Sequence, residues 1–261
     1  SRSLRRAPGF VAIATLSLGA ALGLSTSVFA FIDSMRHPES PFRAVDQLYM
    51  VMPLVGGPYA PPRQEVSAAI AHLRGVLAEA SMRIEYDDVE FKDGVDRLGV
   101  VFIGRGFFDI AGIKPRIGRL PSDADLSGRG VAVVSDDVWR SRLNNRDHLD
   151  GAEIAIGDDE YTVIGVLPPR TSVRFFNGRD QVWIPDPTPG ATAIGLSLIR
   201  VAGGSADTVS VQHQLNALMK RWTNEYLTPR DRPFSGRLYS LRPDPLALEG
   251  YHIAMIGAAI C

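Results

Sequence analysis

Catalysis by this chain would have to come from its histidines, its paired carboxylates or its glycine-rich loops. The five histidines are His37, His72, His148, His213 and His252. No two lie within 30 residues of each other, so no H-x-x-x-H pair exists and no local metal-ligand cluster forms. Three acidic pairs have structural explanations. Asp87-Asp88 falls in an alternating strand pattern, Asp136-Asp137 opens a helix, and Asp158-Asp159 sits in a hairpin turn. No G-x-S-x-G elbow and no G-x-x-x-x-G-K-[ST] loop is present, so neither a hydrolase serine nor a Walker-type ATP site is signalled. "GRGFF" and "AGGSA" lack the spacing of a phosphate cradle. Trp139, Trp183 and Trp222 fit core or strand positions and form no stacking row for single-stranded nucleic acid. A net charge of −1, with no long basic block, gives no pull toward nucleic acid. The absence of these signatures weakens an enzymatic reading, and no metal or cofactor is signalled.

The elements around these residues say more. Gly9 to Ile32 is 24 residues without a charge, preceded by Arg2, Arg5 and Arg6. As a helix it would reach roughly 36 Å, against a hydrocarbon core of about 30 Å. Its eleven Leu, Ile, Val or Phe residues favour insertion. A cleaved signal ending at Val28-Phe29-Ala30 is one alternative, but the apolar stretch exceeds the usual signal core. A buried helix is another, but no charged face is present. The reading is a transmembrane helix over 10–32 in contact with membrane lipid. Residues 1–9 form its flank, and the arginines place that flank in the cytoplasm. Gly19 and Gly23 form a G-x-x-x-G pair: either a face for close helix packing or incidental small residues. Cys261 is the one cysteine, so no internal disulfide exists and cysteine usage leaves the compartment open. The start at Ser1 and the apolar run at 253–261, read as the opening of a second transmembrane helix, are what a piece of a longer protein would show.

Between these runs the pattern is mixed. A strand is predicted over Gln47 to Met52 and a helix over Glu65 to Ala80, with Val66, Ile70, Leu73 and Leu77 on its apolar stripe. "MRIEYDDVEF" and "RLGVVFIG" read as two strands joined by a turn at Lys92-Asp93-Gly94. "VAVVS" is a short buried strand, and Ser135 or Asp136 can cap the helix "DDVWRSRL". "EIAIGDDEYTVIGVLPP" is a hairpin turning at Gly157-Asp158-Asp159, and "DQVWIPD" a further strand. "GLSLIRV" precedes a helix over 207–226 whose stripe is Val211, Leu215, Leu218 and Trp222. "TPRDRPFSGRLYSLRPDP" reads as a polar, Pro-rich tail.

Five segments in order resemble MacB/FtsX-like ABC transporter permeases. "LRRAPGFVAIATLSLGAALGLSTSVFAFIDSM" is similar to the first transmembrane segment of that family. "GRGFFDIAGIKPRIGR" carries its glycine, paired-Phe and Gly-Arg motif at Gly106, Phe107, Phe108, Gly112, Pro115, Gly118 and Arg119. "VAVVSDDVWRSRL" resembles its strand and helix, with Trp139. "LDGAEIAIGDDEYTVIGVLPP" resembles its hairpin, with Gly151 and Gly165, and "QVWIPD" its strand, with Trp183 and Pro185. Departures fall in "RHPESPF", at the Gly157-Asp158-Asp159 turn and at Arg105.

The resemblance implies an α+β architecture: an N-terminal transmembrane helix, then an extracytoplasmic porter-like α/β part with an inserted β-rich subdomain. It assigns 40–103 and 187–248 to the porter-like part and 104–186 to the insert. It also implies a non-catalytic permease subunit in the cell (inner) membrane, multi-pass at full length, with its core domain outside. Implied partners are a separate cytoplasmic ABC ATPase, a second permease copy, and a periplasmic or outer-membrane protein. Its implied task is to carry ATP-driven motion outward for export or envelope processes. The alternative is a membrane-tethered binding or scaffold module without an ATPase.

Overall fold

The computed structural model describes residues 19, 23, 41–54, 63–126, 130–143, 149, 151–169, 171, 181–186, 196–228 and 231–241. The chain divides into a unit spanning 40–242 and a second made of 1–39 with 243–261. The expected flank at 1–9 and the apolar run at 253–261 lie outside the described residues. So does the expected transmembrane helix at 10–32, save Gly19 and Gly23. Among the described residues no helix is long and apolar enough to cross a membrane.

In chain order the strands of the 40–242 unit are β1 (Leu48–Leu54), β2 (Val76–Phe91), β3 (Gly94–Ile103), β4 (Ile117–Gly118), β5 (Val131–Val134), β6 (Glu153–Ile156), β7 (Asp159–Val166), β8 (Gln181–Pro185), β9 (Leu196–Val201) and β10 (Ser235–Ser240). The helices are α1 (Arg63–Ala71), α2 (Phe107–Ala111), α3 (Asp136–Arg142) and α4 (Gly204–Tyr226). The strands join one mixed sheet in the order β10-β1-β9-β2-β3-β8-β5-β7-β4, with β6 bridging β2 and β7. Residues on both sides of position 104 therefore share one hydrogen-bonded sheet, through the parallel β3–β8 pair.

The sheet is buried on both faces, and adjacent residues of a strand serve different cores. Met50, Val101, Trp183 and Leu198 enter one core together with Phe107 and Phe108. Their neighbours Val51 and Ile199 turn to the opposite face and meet α1 and α4. Val100 and Val182 on that opposite face meet α3, through Val138 and Trp139. The β2–β3 hairpin is the longest piece. β2 pairs with β9 over Val76 to Met82 and with β6 at Val89 and Glu90, so one strand reaches two of these cores.

Most predicted elements appear. The Lys92-Asp93 turn closes β2 on β3 with Phe91 opposite Gly94. The Ser135 hydroxyl caps α3 by accepting from the Val138 N–H at 3.2 Å. The α4 stripe is buried throughout: Val211, Leu215, Leu218 and Trp222.

Two expectations are corrected. The helix predicted over 65–80 ends at Ala71, because Gly75 takes φ 95° and turns the chain into β2. Residues 76–82 then gain a backbone ladder with β9, and Ala80 and Met82 a buried core. Leu77, expected on the helix stripe, is 63% exposed next to a bulge at Val76/Ala78. The predicted polar tail contains strand β10, paired antiparallel with β1. Alternation explains it: Leu238 joins the α4 side of the sheet and Tyr239 the other.

Trp222→Ala removes a fully buried indole from the α4 core and should cost about 3–5 kcal/mol of stability. Val209→Ala, on the exposed face of the same helix, should stay within about 0.5 kcal/mol. Urea unfolding of the two variants beside the parent measures the contrast.

Candidate functional site

The chain enters the folded unit through a short, constrained segment. Ala44 holds a left-handed conformation at φ 49°, ψ 52°, ahead of a 3-10 turn at Val45–Gln47. It is the one non-glycine residue with positive φ among the described residues. Arg43 donates its backbone N–H to the Ala111 carbonyl at 3.1 Å. Gly112 lies against the same residue, and a Cβ there would stand 2.4 Å from the Arg43 Cβ. Arg200, from β9, closes the contact. Its Nη2 donates to the Ile110 carbonyl at 2.5 Å and to the Arg43 carbonyl at 3.1 Å, and its Nη1 donates to Gln47 Oε1 at 3.4 Å. One guanidinium thus ties the entry segment to the end of α2. Burial, and then the charge of Arg43, push the Arg200 pKa below its ordinary value. Arginine stays protonated even so, and the donors persist.

The exit lies beside the entry. Tyr49 is opposite Ser240 in the β1–β10 pair, and Leu241 donates its N–H to the Leu48 carbonyl at 3.1 Å. The first and last strands of the domain therefore end side by side.

Of the motif residues, Gly112 touches this junction, and the others pack the elements beyond it. Gly106 at φ 73° and Gly112 at φ 65° begin and end α2, where a side chain would strain the backbone. Phe107 and Phe108 pack edge to face at 5.4 Å and are buried. Pro115, half-buried, leads to β4. Gly118 and Gly165 face each other across β4 and β7. A Cβ on Gly118 would meet the Ile164 carbonyl at 2.2 Å, and one on Gly165 would meet the Arg119 carbonyl at 2.2 Å. Arg119 grips Asp125 with both nitrogens, at 2.7 and 2.8 Å. Trp139 is buried under the Arg116 guanidinium, which lies 4.8 Å from its ring. Arg116 and Arg140 both bond Asp136. Trp183 is core, Pro185 ends β8 opposite Ile103, and Gly151 makes a left-handed turn at φ 68°. Gly19 and Gly23 are helical with open space where a Cβ would stand, and they belong to the other unit.

No group of three or more His, Cys, Asp or Glu side chains that could hold a metal occurs among the described residues. The arrangement there is one of tethering and close backbone packing. Sequence reasoning missed Arg200 and Ala44. Arg200 had a signal, a lone charge inside the apolar strand "GLSLIRV"; Ala44 had none.

A family model described as the MacB-like periplasmic core domain matches residues 11–218. The chain belongs to this family. The solved structures similar to it share the fold. One is the periplasmic region of MacB from Actinobacillus actinomycetemcomitans, with 14% identity, 76% of this chain and 90% of that one covered, and TM-score 0.55. Another is the extracellular domain of the noncanonic ABC-type transporter YknZ from Gram-positive bacteria, with 14% identity, 74% and 99% covered, and TM-score 0.55. A domain of a putative permease protein from Porphyromonas gingivalis gives 14% identity, 82% and 100% covered, and TM-score 0.51. No curated protein matches. The MacB-like core domain is the mixed α/β unit described above, and the motifs at Gly106–Arg119, Trp139, Gly165 and Trp183 hold its backbone together.

Ala44→Gly should raise stability by about 0.5–1 kcal/mol in thermal or urea unfolding, because glycine adopts the left-handed conformation without the cost an alanine bears. A second expectation concerns pH. Hydrogen bonds from Arg119, and then from Ser122, hold the Asp125 carboxyl well below the usual carboxylate range. A depressed folded-state pKa contributes stability that is complete above the unfolded value of about 4 and lost as pH falls below it. The stability gap between the parent and Asp125→Asn should therefore be larger at pH 7 than at pH 3, as read by urea unfolding at both.

Proposed function

We propose that the chain is the membrane subunit of an ABC-type transporter, and that its core domain receives motion generated by a separate cytoplasmic ATPase. The observation that carries this reading is the junction. Entry at Arg43–Leu48 and exit at Leu241 lie side by side, and Arg200 ties the entry to α2. A domain tethered at one point by two neighbouring strands moves with whatever moves its tethers. The family membership and the likeness to MacB and YknZ domains support the transporter setting.

In this reading residues 10–32 span the membrane with 1–9 in the cytoplasm, and 253–261 begin a second span. The Gly19–Gly23 face is a contact for a neighbouring helix. Residues 40–103 with 187–248 form the porter-like part, and 104–186 the β-rich insert. Two permease copies, a separate cytoplasmic ATPase and a periplasmic or outer-membrane partner complete the assembly. ATP binding and hydrolysis bias two arrangements of the permease pair, and the core domains report the difference outside. Motif residues position backbone and take no chemical part.

The test is a reconstitution of the permease with its ATPase in lipid nanodiscs, with spin labels on Ser235→Cys in two copies that also carry Cys261→Ser. The distance between labels should change on adding ATP. Arg200→Met, with folding checked by circular dichroism, should keep ATP hydrolysis within about twofold and reduce the ATP-dependent distance change. A parent distance that ignores ATP, or the failure of any ATPase to co-purify, would sink the reading in favour of a tethered binding module.

A further inference from the structure

β10 is the outermost strand at its end of the sheet among the described strands, with β1 on one side. Backbone groups along an antiparallel strand alternate between the two sides. Leu241 donates its N–H to β1, so Tyr239 and Arg237 face β1 as well, while Leu238 and Gly236 face away. An outward row of donors and acceptors is a template for a further strand.

That row is occupied by one side chain. The Leu238 N–H donates to Gln212 Oε1 at 2.9 Å, and Gln212 Nε2 donates to the Gly236 carbonyl at 3.0 Å. The primary amide thus makes the donor and acceptor contacts that an N–H and a C=O from two peptide groups of a neighbouring strand would make. It is held in that orientation, since Nε2 also donates to Asn216 Oδ1 at 2.8 Å, one turn along α4. Gly236 makes the approach possible: a Cβ there would press on the Leu215 side chain at 3.1 Å and push α4 away.

We propose that Gln212 is a side-chain latch that closes the β10 edge against pairing with a second copy of this chain. The sequence of the strand, "SGRLYS", names that partner. In an antiparallel pair centred on Leu238, Arg237 of one copy lies opposite Tyr239 of the other. Its only charge then meets an aromatic ring instead of a like charge. With Arg237 so placed, the opposition to self-pairing is supplied by the latch from α4.

Amide hydrogen exchange of the full chain in detergent, read residue by residue at two protein concentrations, tests this. In the parent, Leu238 should be protected at both. In Gln212→Ala it should exchange roughly tenfold faster at low concentration, the factor one ordinary hydrogen bond supplies, and regain protection at high concentration as copies pair. Gln212→Lys breaks the same bonds but leaves a charge on the edge, so Leu238 should exchange fast at both concentrations. Unchanged Leu238 exchange in Gln212→Ala would overturn the proposal. So would fast exchange that persists at high concentration. Simultaneous loss of protection at Arg237 and Leu241 would mean that β10 had left β1, and would overturn it too.

Discussion

Burial of both faces of a single sheet is the constraint from which the rest of this structure follows. Each central strand must be apolar at consecutive positions, because Val100 and Val101, or Trp183 and Ile184, serve different cores. At roughly 25 cal/mol per Å² of apolar surface, two-sided burial doubles what each strand residue pair contributes over a one-sided sheet. It also sets what must cover the faces. α1 and α4 cover one side near β1 and β9, α3 covers the same side near β8 and β5, and α2 with its two phenylalanines seals the other.

Close backbone packing is the second consequence. α2 can cap the far core, and β4 can pair with β7, only if loops approach strands within distances that a Cβ would block. Glycines stand at those points, at Gly112 against Arg43 and at Gly118 and Gly165 across β4 and β7. The glycines of the segment 106–119, with Gly165, thus mark contact distances. The segment's polar members, Arg119 on Asp125 and Arg116 on Asp136, fasten the same region from outside.

How much of this was legible in the sequence depended on the range of the interaction. Local signals read well. The Lys92-Asp93 turn, the Ser135 cap and the α4 stripe each depend on neighbours within a few residues, and each stands where periodicity and capping preferences put it. Long-range pairing did not read. Val76–Ala80 has helical spacing but pairs with β9, over a hundred residues on, and the ladder overrides the local pattern. β10 was hidden among prolines and arginines because its partner, β1, is nearly two hundred residues earlier. At the junction, Arg200 was visible as a charge out of place, whereas the left-handed Ala44 follows from tertiary contact alone.

The pairing of β1 with β10 and β9 also fixes an order in time. Among the described strands β1 touches no other, so it has no partner until about 150 further residues have left the ribosome. β2 and β3 can zip at once through a two-residue turn, and β6 and β7 through another. During synthesis these hairpins are free to form early, whereas the β1–β9–β10 seam must wait for the end of the domain. The seam at which the chain enters and leaves the domain is thus the one whose strands lie furthest apart in sequence.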